Sequence, residues 1–142
     1  MKILARLLSS LFLCAAAAVA QQVDTVTAGG WITVAATSSK ANFGLNARNS
    51  TPLTGHLTYV DHAATKLVVH STSITSYTIV NPTTRTFTGT CEINGVGGFT
   101  FTCTVVDNGQ PGTADTFSIS LSSGYNASGT LGGGNVRVHP VP

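Results

Sequence analysis

From Thr84 to Asp107 the chain alternates apolar and hydroxylated residues with a period of two. Phe87-Thr-Gly-Thr-Cys91-Glu-Ile93 is followed by Phe99-Thr-Phe101-Thr-Cys103-Thr-Val105. In a strand, successive side chains point to opposite faces, so this pattern gives one packed face and one wet face. On a helix the same residues would scatter around the axis and bury nothing. Similar runs are expected as strands at Trp31–Val34, Ala41–Arg48, His56–Asp61, Lys66–Thr72, Ser76–Val80, Thr84–Ile93, Phe99–Asp107, Thr116–Leu121 and Asn135–His139. Gly, Asn, Asp and Pro stand at the joints, as in Asn81-Pro82, Asp107-Asn108-Gly109 and Gly132-Gly133-Gly134. No stretch after residue 20 carries a sustained helical period. The expected fold class is all-β: an antiparallel sandwich or small closed barrel of about 8–9 short strands.

The first twenty residues read differently. Lys2 and Arg6 precede the apolar run Leu7–Ala20, and Ala18-Val19-Ala20 supplies the small residues of a cleavage site. Residues 1–20 are therefore expected to be a secretory signal peptide, with residues 21–142 forming a single all-β domain. The apolar run is shorter than the ~20 residues of a membrane-spanning helix, and no other segment approaches that length. The mature chain is expected to be secreted or periplasmic, with no integral membrane segment. It keeps Lys40, Arg48, Lys66, Arg85 and Arg137 against Asp24, Asp61, Glu92, Asp107 and Asp115. So even a balance offers no counterion release, and nucleic acid is not an expected partner.

Export also bears on the cysteines. Once Cys14 is removed, Cys91 and Cys103 remain as an even pair in an oxidising compartment, and a disulfide is expected between them. A three-residue loop at Val96-Gly97-Gly98 would place Cys91 opposite Cys103, Ile93 opposite Phe101 and Thr90 opposite Thr104.

Several short stretches occur in a recognisable order. They are Gly29-Gly30-Trp31-Ile32, Lys40-Ala-Asn-Phe-Gly44, Tyr59-Val-Asp-His62, Val69-His70-Ser71, Asn94-Gly-Val-Gly97, Asp107-Asn-Gly109, Asp115-Thr-Phe117 and Gly132-Gly-Gly-Asn-Val136. Over nearly the whole mature chain this resembles a small all-β domain of bacterial secreted proteins, with a GGGWI-like start and a GGG-rich end. That family has no established activity. The resemblance implies export and an all-β fold, and it assigns no catalytic residue.

The chemistry-bearing residues are few. No serine sits in a Gly-x-Ser-x-Gly elbow, and an N-terminal histidine brace is disfavoured by Gln21. If residues 62–65 form a turn, Asp61 faces Lys66, Tyr59 faces Val68 and Leu57 faces His70. Asp61, His62 and His70 are then candidate ligands for zinc or copper. The competing reading is an Asp61–Lys66 charge pair with hydrogen-bonded histidines. Asp107-Asn108-Gly109 with Asp115 offers oxygen ligands for calcium or, more plainly, a turn. No cofactor is required by any motif. Thr86, Thr88 and Thr90 opposite Thr100, Thr102 and Thr104 would make a hydroxylated outer face, either simply solvated or suited to ice or polysaccharide. Two functions follow as expectations. One is a secreted β-module with a binding or structural role, its partner an extracellular protein or polysaccharide. The other is a small exported, metal-dependent enzyme built around Asp61, His62 and His70.

Overall fold

Antiparallel pairing of neighbours in sequence accounts for almost all of the architecture. The computed structural model describes residues 21–142, and the expected signal peptide lies outside them. Strands run β1 (Thr25–Val34), β2 (Ser39–Arg48), β3 (Thr54–Asp61), β4 (Leu67–Asn81), β5 (Thr84–Ile93), β6 (Val96–Val106), β7 (Thr116–Leu121), β8 (Asn126–Thr130) and β9 (Gly133–His139). A single 3₁₀ turn, Gly112–Ala114, interrupts the β6–β7 connection. The sheet order is β8-β7-β6-β5-β4-β3-β2-β1-β9, so the chain meanders and its last strand returns to the first.

The sheet curls into a near-closed barrel, and the closure is made by one bent stretch. Only Leu131 and Gly132 separate β8 from β9. The first half of this stretch pairs with β7 and the second half with β1. At the bend, the Gly132 N–H donates to the Trp31 carbonyl at 2.9 Å. Glycines make the closure possible. A Cβ on Gly30 would lie 2.2 Å from the Gly133 carbonyl, and one on Gly132 would lie 2.2 Å from the Trp31 ring. The two ends of the motif series thus interlock, Gly30 opposite Gly134 and Trp31 opposite Gly133.

The far edge of β9 is not left bare. The Val136 N–H donates to Asp115 Oδ2 at 2.7 Å, and the Val138 N–H donates to Asp107 Oδ2 at 3.0 Å. Carboxylates from the β6–β7 connection thus replace a neighbouring strand there, which blunts an edge that would otherwise invite pairing.

Inward side chains fill the barrel. Phe43 on β2 stacks on Phe117 on β7 with ring centres 4.0 Å apart, and Tyr59 on β3 stacks on the same ring at 5.7 Å. Phe87 meets Phe101 edge-on at 5.9 Å. The two contacts to Phe117 cross from wall to wall, and the barrel has a packed core of Val, Ile, Leu and aromatic residues.

The expected strands survive with changes that have local causes. Thr84–Ile93 and Thr116–Leu121 keep their bounds. The two segments expected at Lys66–Thr72 and Ser76–Val80 are one long strand, β4, which carries bulges at Ser71/Ser73, Ile74/Ser76 and Ile79/Asn81. Each bulge resets the alternation, so Val69, Ile74 and Tyr77 can all face inward despite odd spacings. β8, sequence Asn-Ala-Ser-Gly-Thr, has no large apolar residue to mark it and was not expected.

The expected disulfide is not formed: Cys91 and Cys103 are free, buried thiols. The hairpin turns at Asn94-Gly95, both with positive φ (49° and 80°), instead of at 96–98. Asn-Gly is the sequence of a two-residue type I′ hairpin, whose twist matches that of the flanking strands. This pairs Phe87 with Cys103 and Cys91 with Phe99. The cysteines stay on the inner face but are separated by four residues along β5, about 13 Å at strand rise, which no disulfide spans. Burial pushes both thiols up, Cys103 most strongly. The native protein is therefore expected to react with a thiol reagent far more slowly than the unfolded one, and to titrate two thiols in denaturant without reductant. A loss of those two thiols on oxidation without unfolding would contradict this packing.

Candidate functional site

The acidic residues show where the barrel's polar chemistry is invested. At one end, Asp24 precedes β1 and meets Arg85 from β5 in a two-pronged ion pair. Nε donates to Oδ1 at 2.7 Å and Nη2 to Oδ2 at 2.8 Å. The side chains are 3% and 1% exposed. Tyr77 adds its hydroxyl to Asp24, and Arg85 Nη1 donates to the Asn81 carbonyl at 2.7 Å. Burial on its own would raise the Asp24 carboxyl. The hydrogen bonds from Arg85 and Tyr77 outweigh it and hold the group below its ordinary value. The Tyr77 hydroxyl is pushed up by burial and by Asp24.

At the other end, Asp61 occupies a comparable position without a basic partner. Its carboxylate accepts from the Ser39 hydroxyl at 2.5 Å, the Ala63 N–H at 3.0 Å and the Tyr125 hydroxyl at 2.8 Å. The hydroxyls of Tyr59 and Tyr125 lie 2.7 Å apart, so the network runs Tyr59–Tyr125–Asp61 from the core to the rim. Burial again favours the neutral acid, and the three donors overcome it, leaving the carboxyl lowered. Burial pushes Tyr59 up to about 12. Tyr125 is raised by burial and by its bonds to Tyr59 and Asp61. These phenols keep their protons at neutral pH. The cluster ties the start of β2, β3 and the β7–β8 turn together.

The histidines do not join it. The β3–β4 register pairs Asp61 with Leu67 and Thr58 with His70, one residue away from the expected pairing of Leu57 with His70. An odd shift reverses the face. Asp61 therefore points inward at 2% exposed, whereas His70 stands outside beside Thr58 and opposite Glu92. His62 is exposed at the turn, with Nε2 3.1 Å from Asn42 Oδ1. Among the described residues, no three His, Cys, Asp or Glu side chains are grouped to hold a metal ion. Of the oxygen ligands considered for calcium, Asp107 and Asp115 accept N–H donors from β9 and from Asn108 and Gly109.

The hydroxylated outer face continues well beyond the two strands read from sequence. Thr78, Thr86, Thr104, Ser118 and Ser128 form one row across five strands, and Ser76, Thr88, Thr102, Ser120 and Asn126 form a second. Hydroxyls bond along these rows, as between Thr86 and Thr104 at 2.8 Å. At the β8 end the face becomes concave. A groove of about 540 Å³ lies between β8 (Asn126, Ala127, Ser128) and the end of β1 with the turn that follows it (Val34, Ala35, Ala36), floored by residues of β6 and β7. No charged or aromatic residue lines it. Sequence reasoning missed this groove because its β8 bank carries only small residues and gives no periodic signal.

No described helix is long and apolar enough to cross a membrane. Compared with protein-family models, curated proteins and solved structures, the chain matches none.

Proposed function

We propose that this protein is an exported β-barrel module that acts by holding another molecule, in the cell envelope or the surrounding medium. The observation that carries the reading is the groove beside β8, which is concave, open and lined only by uncharged residues. Such a surface has hydrogen-bonding capacity but no acid, base or nucleophilic thiol with which to drive a reaction. The acids Asp24, Asp61, Asp107 and Asp115 are engaged in bonds that hold the barrel's ends and its seam. The resemblance to small all-β domains of bacterial secreted proteins belongs to the same proposal. It is supported by the way Gly29-Gly30-Trp31 and Gly132-Gly133-Gly134 close the barrel together.

The full chain expressed in a bacterium is expected outside the cytoplasm, with an intact mass beginning at Gln21, and retained by envelope material. A cytoplasmic product that still begins at Met1, or turnover of a substrate by the purified protein, would overturn the reading.

A further inference from the structure

The acids and bases of residues 21–142 balance in number but not in place. Asp24, Asp61 and Asp115 are buried, and Glu92 and Asp107 are half-buried. Arg85 is buried in its pair with Asp24, whereas Lys40, Arg48, Lys66 and Arg137 are exposed. Strand register gathers two of these bases on one stretch of the outer face. Directly paired residues share a face. His139, Thr25, Arg48 and Thr54 therefore form a row across β9, β1, β2 and β3, and Arg137, Thr27, Asn46 and His56 form the next. No acid stands on either row. Asp107 and Asp115 are close by, but they accept from N–H groups of β9 and so lie in the plane of its far edge. Arg85–Asp24 is the one ion pair among the described residues, so Arg48 and Arg137 carry charge without a partner.

A third row lies beside these two: Asn135, Gly29, Gly44, Thr58 and His70. Its two glycines face each other across β1 and β2, and no packing explains them. Gly30, Gly55, Gly89 and Gly134 would each drive a Cβ into a main-chain oxygen. A Cβ on Gly44 would meet nothing within 4 Å, and one on Gly29 only the Phe43 carbonyl oxygen at 3.8 Å. Neither has a positive φ, and the register runs through both without a bulge. Glycine inside a strand weakens it, and one that no bulge or contact requires marks a close approach to the backbone from outside. Thr27 and Asn46 border the bare spot on one side, Trp31 and Asn42 on the other.

We propose that this face of β9, β1, β2 and β3 binds an acidic polysaccharide, with one sugar ring lying on the Gly29–Gly44 backbone and its carboxylate taken by Arg137. The surface is additional to the groove and shares no residue with it. A sugar ring needs a flat spot free of side chains, which two paired glycines supply. Its hydroxyls need donors and acceptors together, and the amides of Asn42 and Asn46 with the hydroxyls of Thr27 and Thr58 offer both. A guanidinium takes a carboxylate through two parallel hydrogen bonds, and Arg48 offers a second charge on the neighbouring row. Nucleic acid is the poorer fit. The Trp31 ring lies against Gly132 and Gly133 with Lys40 Nζ 4.5 Å from its centre, so it is not free for a base to stack on. A lipid surface fits no better, because the three rows carry no large apolar side chain to enter it.

Biolayer interferometry of the purified protein on immobilised alginate, a polymer of uronic acids, tests this, with immobilised dextran as the neutral counterpart. Alginate is expected to bind, more weakly as salt is added, and dextran is not. Gly44→Val covers the bare spot with a side chain suited to a strand. It is expected to keep or raise the melting temperature and to weaken alginate binding about tenfold or more. Arg137→Gln, at an exposed position, is expected to weaken binding by a similar factor with the melting temperature unchanged. Thr100→Lys adds a charge on the outer face of β6 and is expected to bind as the parent does. The proposal falls if alginate is not bound, or if dextran, double-stranded DNA or phosphatidylglycerol vesicles bind as tightly. It falls if Thr100→Lys binds alginate more tightly than the parent, since net charge alone would then govern binding. A Gly44→Val or Arg137→Gln protein that binds like the parent also overturns it. So does a melting temperature lowered by Gly44→Val, which would assign the glycines to the bend of the sheet. A protein that is exported and held by envelope material yet ignores alginate overturns this proposal and leaves the groove reading standing.

Discussion

Arg85→Met is expected to destabilise the barrel by about 3–5 kcal/mol at neutral pH, the cost of leaving a buried charge without its partner. Asp24 would keep the Tyr77 hydroxyl but lose both guanidinium bonds while still shielded from water. Urea denaturation measures the loss. Asp24→Asn combined with Arg85→Met should be less destabilised than Arg85→Met alone. Asparagine removes the orphaned charge and still offers Tyr77 an acceptor, so the two substitutions should be strongly non-additive. Equal or greater loss in the double variant would show that the damage comes from packing around the arginine stem. The pH dependence has a definite sign. The Asp24 carboxyl is lowered in the fold from its ordinary value of 3.8, so the native state favours the ionised form. Its contribution is complete above about pH 4 and is lost as the pH falls through the folded value. Asp61 is lowered too and acts in the same direction. Parent stability should therefore fall steeply in acid, and Arg85→Met, lacking the Asp24 contribution, should fall less.

Gly89→Ala is the second large effect, and its cause is steric. A Cβ there would lie 1.9 Å from the Ser73 carbonyl oxygen and 2.7 Å from the Phe101 ring. No real Cβ sits so close to backbone, so β4 or β5 must move. The expected cost is about 3 kcal/mol, the upper end of ordinary overpacking. The nearer obstacle is main chain, at the bulged part of β4. Trimming the ring with Phe101→Leu in the Gly89→Ala background is therefore not expected to restore stability. Recovery in thermal melts of that double variant would identify the ring as the true obstruction.

Two hairpins show what alternation reveals and what it leaves open. On β5 and β6 the expected pairing put Cys91 opposite Cys103, whereas the true partner of Cys103 is Phe87. The slip is an even number of residues, so each side chain kept its face and the aromatic core side was read correctly. Only the crosslink was lost. The Asn94-Gly95 turn was the available signal, and it outranks the glycines that follow. On β3 and β4 the slip is a single residue, and a single residue exchanges the faces. That sends Asp61 inside and leaves His70 out, separating groups that the sequence placed together. Patterning thus reports which residues share a face within a strand, while turn chemistry sets which meet across strands. The bent closure at Leu131–Gly132 was legible only as three glycines, because the reasons for them, Trp31 and the Gly29-Gly30 backbone, lie at the other end of the domain. The β8 edge carried no signal at all, since a strand of Asn, Ala, Ser, Gly and Thr looks like a loop until its neighbours are known.

The pairing of Thr25 with His139 sets the first and last strands side by side with their free ends at the same rim. Tension applied between those ends would not shear the whole ladder at once. It would open the β1–β9 seam like a zipper, loading one pair of bonds at a time from Thr25/His139 inward to Trp31/Gly133. Such a seam should give way at low force, with the Asp107 clasp on Val138 loaded almost at once and the Asp115 clasp on Val136 after it. Anchored at both ends in a moving surface, the molecule would behave as an extensible link that opens before its attachments fail.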